Sequence, residues 1–150
     1  MKLSELLDER VIKVGLESTE KEEAFNELIE VLVRAGRVSD RQAALEAILS
    51  REAMATTGIG NGIAVPHGKS TSVKTLTAAL GITRDGIDYD ATDGEPVYVI
   101  FLVLAEVNNP GPHVQCLGEI ARLLMVPGFT DRLRRVQGPD EALELIRAEE

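Results

Sequence analysis

Two histidines, His67 and His113, are the only imidazoles in the 150-residue chain. Imidazole does three kinds of work near neutral pH: it moves protons, ligates metals and attacks electrophiles. His67 lies between a rigid Pro66 and a flexible Gly68, at the end of the segment TTGIGNGIAVPHG. That segment has no helical period, so His67 is expected to be presented from a loop and not packed on an apolar face. A plainer reading stands beside it, a polar residue that merely fills a turn. Arg51, Thr56, Thr57, Asn61, Lys69 and Ser70 surround His67 in sequence and offer donors. Donors suit an anion, whereas metal ligands are acceptors. A phosphoryl group resting on neutral imidazole fits the set, because cationic and N–H donors balance its charge.

His113 follows the loop-like stretch NNPGP and is expected at the start of a helix. Free N–H groups and the positive dipole end there favour an anion. The plainer reading makes it a first-turn or cap residue. Cys116 shares its helical face, so a zinc site of His67, His113 and Cys116 can be drawn, but it has no characteristic ligand spacing. The thiol reads better as a small buried apolar group. Gly58, Gly60 and Gly62 fail as a dinucleotide fingerprint, because a helix precedes them and a strand follows. Gly68-Lys69-Ser70 fails as a phosphate loop: the required earlier glycine falls on Ile63, and Gly62 misses by one.

These residues need a scaffold, and the composition supplies one. With 44% hydrophobic and 27% charged residues the chain is an ordinary globular protein, expected to form one domain over residues 1–150. A net charge of −9 argues against nucleic-acid partners, which need a basic surface. One cysteine excludes an intrachain disulfide. No run reaches the ~20 apolar residues that cross a bilayer, and MKLSELLDER lacks a signal-peptide core, so a cytoplasmic location is expected.

Periodicity then places the elements. Met1–Asp8 reads as a short helix or turn and Val11–Leu16 as a strand. Thr19/Glu22 and Ser39/Gln42 read as capping boxes opening two amphipathic helices, the first ended by Gly36 and the second near Glu52. A short strand is expected at Ile63–Val65, with Pro66 stopping its pairing. Leu76–Thr83 reads as a strand, turned at Asp85-Gly86 into a short hairpin piece, Ile87–Tyr89. Val97–Leu104 is apolar on both faces, as a central strand would be. Asn108–Pro112 reads as a loop before a helix from His113. Thr130 is expected to cap a short helix, and Pro139 to open the last one. The class is α/β, a central mixed β-sheet flanked by helices on both sides.

The run Arg51-Glu52, then Thr57-Gly58-Ile59-Gly60-Asn61-Gly62-Ile63-Ala64-Val65-Pro66-His67-Gly68-Lys69, resembles the signature of the mannitol/fructose-type enzyme IIA domains. These belong to the phosphoenolpyruvate-dependent phosphotransferase system, and the nitrogen-regulatory IIA proteins share the fold. Asp93-Gly94-Glu95-Pro96-Val97, His113-x-x-x-Leu117 and Ile120-Ala121-Arg122-Leu123-Leu124 continue the likeness over nearly the whole chain. The resemblance implies a phosphocarrier with His67 as acceptor (a tele-phosphohistidine), His113 as its neighbour and Arg51 balancing charge. Thr57, Asn61, Gly62, Gly68 and Lys69 are then expected to support the phosphoryl group. It implies no cofactor and no metal, and a donor like the histidine phosphocarrier protein HPr. The acceptor is a IIB component or a regulatory target, with the membrane reached only through a IIB/IIC transporter. Gly68 stands where alanine is frequent in that family, and a looser backbone beside His67 is the expected result.

Overall fold

The computed structural model describes all 150 residues. Its short first helix, α1 (Leu3–Leu6), leads through a single 3-10 turn (Glu9–Val11) into β1 (Ile12–Val14). Then come α2 (Lys21–Arg34), α3 (Arg41–Glu52), β2 (Gly58–Gly60), β3 (Ile63–Ala64), β4 (His67–Lys69), β5 (Thr77–Ile87) and β6 (Val97–Ala105). The chain closes with α4 (Pro110–Leu124), α5 (Phe129–Arg134) and α6 (Pro139–Ala148).

The sheet is mixed. Its order is β1-β5-β6-β3-β2, and β4 pairs with β6 beyond β3. Strand β6 runs antiparallel to β5 and parallel to both β3 and β4. Every β6 residue except Tyr98 is buried, so helices cover both faces, as its unbroken apolar sequence requires. Phe101, Leu102 and Leu104 sit at the centre of the core. Each such side chain contributes about 1.5–3 kcal/mol when fully buried.

Several local expectations shift. Pro66 does not end pairing. Its carbonyl still accepts Val103 N–H at 2.9 Å, and β4 resumes on the same strand one residue later. His67 is therefore the first residue of a strand, not part of a loop. Asp85-Gly86 makes no hairpin: β5 continues through it to Ile87, with an irregularity in its pairing between Ile82 and Ile87. Gly86 has φ +85°, and a Cβ there would meet Pro96 and the Tyr98 ring.

The helix starts move for tertiary reasons. Asp88 takes backbone hydrogen bonds from Lys21 and gives one to Thr19, which keeps residue 20 extended. Helix α2 thus begins one residue later than Thr19 would dictate, and the Glu23 carboxylate collects the N–H groups of Thr19 and Glu20. Ser39 is likewise claimed, by the Ser72 carbonyl, so Asp40 caps α3 through Ala43 N–H. Helix α4 starts at Pro110, inside the expected loop, which makes His113 its fourth residue. Gly128, at φ +76°, precedes α5 where Thr130 was the expected cap. The end of α2 matches expectation: Arg37 N–H reaches Leu32 and Gly36 N–H reaches Val33, with Gly36 at φ +75°.

Gly68 does not loosen the backbone. A Cβ at that position would stand 2.7 Å from the Ala47 carbonyl oxygen, so glycine is what lets α3 lie against β4. Gly68→Ala is expected to destabilise the protein by roughly 1–3 kcal/mol, the range for overpacking, with a lower urea midpoint. An unchanged midpoint contradicts the close approach.

Candidate functional site

His67 opens β4 at the sheet edge, opposite Val103 of β6. Its ring is half-buried. Nδ1 lies 2.8 Å from the Val65 carbonyl oxygen. A carbonyl can only accept, so the proton of the neutral ring belongs on Nδ1. Nε2 then carries the free lone pair, and it is the nucleophilic atom. Pro66 serves this geometry, because it bends the chain between Val65 and His67 without competing for the carbonyl through an N–H.

The ring of His113 meets that of His67 edge-on, with centroids 5.4 Å apart and planes at 66°. The two histidines come together because α4 packs against β6. His113 is only 7% exposed, and its Nε2 is buried without a hydrogen-bond partner. Such an orphan costs stability unless a ligand satisfies it. Burial, and then the nearby His67 and Lys69, lower its pKa from the ordinary 6.5. Pro110 and Pro112 occupy the first turn of α4 and carry no N–H, so that helix end is a poorer anion cradle than expected.

Arg51 ends α3 on the same cavity, a space of about 650 Å³ that His67, Gly68, Lys69 and His113 also line. Its Nη1 donates to the Ala55 carbonyl at 2.9 Å, and it has no carboxylate partner. The adjacent Glu52 points away into a network. It pairs with Lys21 at 3.0 Å, accepts Thr57 N–H at 2.8 Å, and accepts the Thr57 hydroxyl at 2.5 Å. The Tyr89 hydroxyl lies 2.7 Å from Thr57 Oγ1. Burial alone would raise Glu52, but the Thr57 bonds and the Lys21 ammonium hold it below the usual carboxylate range. The one carboxylate adjacent to Arg51 in sequence is thereby spent, and the guanidinium charge stays available.

The structure thus gathers His67, His113, Arg51, Gly68 and Lys69. Thr57 is close, but it is buried and its hydroxyl is already engaged by Glu52 and Tyr89. It shapes the site and offers no free donor. Asn61 and Gly62 do not join. They form the turn between β2 and β3, where Asn61 N–H bonds Asp93 and Gly62 packs on Tyr98. Cys116 lies in the core, and burial pushes its thiol up to about 11. No three His, Cys, Asp or Glu side chains are grouped to hold a metal ion. Sequence reasoning missed the Val65 carbonyl and the Lys21–Glu52–Thr57–Tyr89 network.

A second cavity of about 230 Å³ adjoins the first. His67 and Arg51 border it, and Ile59, Val65, Leu117 and Leu124 make it apolar. Met54, Ile59 and Val107 line these cavities and stand 80%, 54% and 47% exposed. Apolar side chains around a polar centre suit a macromolecular partner.

His113 is expected to titrate below 6.5 in the unmodified protein, read from its ring shifts by NMR. Folding lowers this pKa, so the unfolded chain binds the proton more tightly. The contribution of His113 to stability is then complete above the ordinary histidine range and declines as pH falls through it. Titration at or above 6.5 contradicts the buried, neutral ring.

Residues 5–149 match the family model described as phosphoenolpyruvate-dependent sugar phosphotransferase system, EIIA 2. The fructose-specific EIIABC component of Bacillus subtilis strain 168 is 40% identical over 146 residues, which is 97% of this chain. The chain spans 23% of that larger protein's length. The crystal structure of nitrogen regulatory protein IIA-Ntr from Neisseria meningitidis superposes with a TM-score of 0.87. It is 30% identical, with 96% of this chain and 98% of that one covered. The complex of enzyme IIA mannitol with phosphorylated enzyme IIB mannitol from Escherichia coli gives a TM-score of 0.80. There the identity is 26%, with 95% and 97% of the two chains covered.

Proposed function

Because this chain belongs to the phosphoenolpyruvate-dependent sugar phosphotransferase system EIIA 2 family, we propose that it is a phosphocarrier that holds its phosphoryl group on His67 Nε2. One observation carries the choice of atom: the Val65 carbonyl fixes the Nδ1 proton and leaves Nε2 free. The lone pair of Nε2 attacks the phosphorus of a donor phosphohistidine. A new P–N bond forms as the donor's P–N bond breaks, and the donor imidazole leaves with the electron pair. No proton changes hands, since Nδ1–H of His67 stays on Val65 throughout. The energy is already stored in the donor, so no nucleotide or metal takes part. Positioning and charge balance are what the protein supplies. Arg51 and Lys69 lend positive charge, and the buried Nε2 of His113, carrying the proton of the neutral ring, donates to a phosphoryl oxygen.

The donor in this reading is an HPr-like phosphocarrier, and the acceptor is a IIB component of a sugar transporter. The apolar rim of Met54, Ile59 and Val107 is where both proteins dock, in turn. The chain acts as one domain over residues 1–150 in the cytoplasm, and no helix in it is long and apolar enough to cross a membrane. The likeness to a nitrogen regulatory IIA-Ntr structure favours a second reading, a regulator whose partners change with phosphorylation. Purified chain incubated with phosphoenolpyruvate, enzyme I and HPr should take up acid-labile phosphate and pass it to a cognate IIB. Uptake without transfer to any IIB favours the regulatory reading, and absence of uptake from both sugar-branch and nitrogen-branch carriers overturns both.

A further inference from the structure

At the other end of β6, away from His67, a separate cavity of about 400 Å³ is lined by Thr83, Arg84, Asp131, Arg134, Arg135 and Gln137. None of these residues is apolar. Three arginines against one aspartate leave an excess of positive charge, on a chain whose net charge is −9. The three are not ion-paired: the arginines that hold carboxylates are Arg10, Arg34, Arg37, Arg41, Arg122 and Arg132.

Two of the three are also held in place. The Arg134 guanidinium stacks on the Tyr98 ring, 3.7 Å from its centroid, which leaves its N–H edge unused. Arg84 Nη2 donates to Gln137 Oε1 at 2.9 Å, which ties β5 to the segment before α6. The bulged stretch of β5 contributes as well, since Gly86 packs directly on Tyr98. Fixed guanidinium forks lose little entropy on binding and match the oxygens of phosphate in pairs.

We propose that this cavity binds a compact phosphate-bearing anion, a phosphomonoester or pyrophosphate. The absence of any apolar residue in the lining disfavours a protein partner, whose interface would need apolar anchors at its centre. The acidic remainder of the surface disfavours a nucleic acid, which would need a longer basic track. The volume falls at the lower end for small-molecule sites. The site is independent of the phosphoryl chemistry at His67, so either reading can fail without the other.

The test is a titration of the full chain with pyrophosphate and with a hexose phosphate, followed residue by residue by NMR at constant ionic strength. Saturable shifts at Thr83, Arg84, Arg134, Arg135 and Gln137 are expected with at least one of them. Arg84→Gln and Arg134→Gln should each weaken binding by about tenfold, the loss expected for one charge-assisted hydrogen bond. Shifts that do not saturate or that chloride reproduces overturn the proposal. So do shifts confined to the surroundings of His67, or affinity unchanged in both variants.

Discussion

His67→Ala is expected to take up no phosphate from any histidine-phosphorylated donor, while keeping its fold. The loss is complete because nothing else near the cavity can replace Nε2. His113 is the only other imidazole, and it is 7% exposed with its free nitrogen buried. Lys69 and Arg51 are cations and carry no lone pair for phosphorus at neutral pH. The fold should survive, since His67 is a half-buried residue at the sheet edge whose ring makes one hydrogen bond to the backbone. An unfolding free energy from urea titration within about 0.5–1.5 kcal/mol of the parent would match the loss of that single bond. Labelling of the variant at the parental level contradicts the assignment of His67.

His113→Leu should separate stability from function. In the unmodified protein, Nε2 of His113 is a buried polar atom with no partner. Replacing it with an apolar side chain of similar size removes that penalty, so the variant is expected to gain about 1–3 kcal/mol of stability. The same substitution removes a donor to the developing phosphoryl charge. Loss of one such preorganised donor typically slows the chemistry by about 10²–10³-fold. The variant should therefore melt higher and transfer phosphate slowly, still to His67. A variant that is both less stable and equally fast would show that His113 is simply a packed ring. This trade is expected where a strained or unsatisfied group is kept for its chemistry.

The position of His67 between Pro66 and Gly68 was legible in the sequence, and so was the apolar central strand. The pairing with His113 was carried by resemblance, because only the packing of α4 on β6 brings the two rings together. What could not be read shares one cause, contacts between distant parts of the chain. Ser39 would have capped α3, but the Ser72 carbonyl claims its hydroxyl. Thr19 would have opened α2, but Asp88 holds its neighbourhood extended. Asp85-Gly86 carries the residues of a hairpin turn, yet the sheet register runs through it while Gly86 packs on Tyr98. Thr57 looked like a free donor until Glu52 and Tyr89, 5 and 32 residues away, filled its hydroxyl. Asn61 and Gly62 belong to the long motif around His67, but the β2–β3 turn carries them to Asp93 and Tyr98 instead. Local pattern singled out His67 as the candidate, and tertiary hydrogen bonding decided which of its sequence neighbours stand beside it.

The central claim is an atom, Nε2 of His67, and it can be observed directly. Chain labelled with ¹⁵N at its imidazoles is phosphorylated by its donor, and the phosphorus–nitrogen couplings and ring nitrogen shifts are recorded. The account predicts phosphorus bonded to Nε2 of His67, with Nδ1 still protonated and hydrogen-bonded to Val65, and with the His113 ring titrating higher than before. Phosphorus on Nδ1 of His67, or on His113, contradicts it.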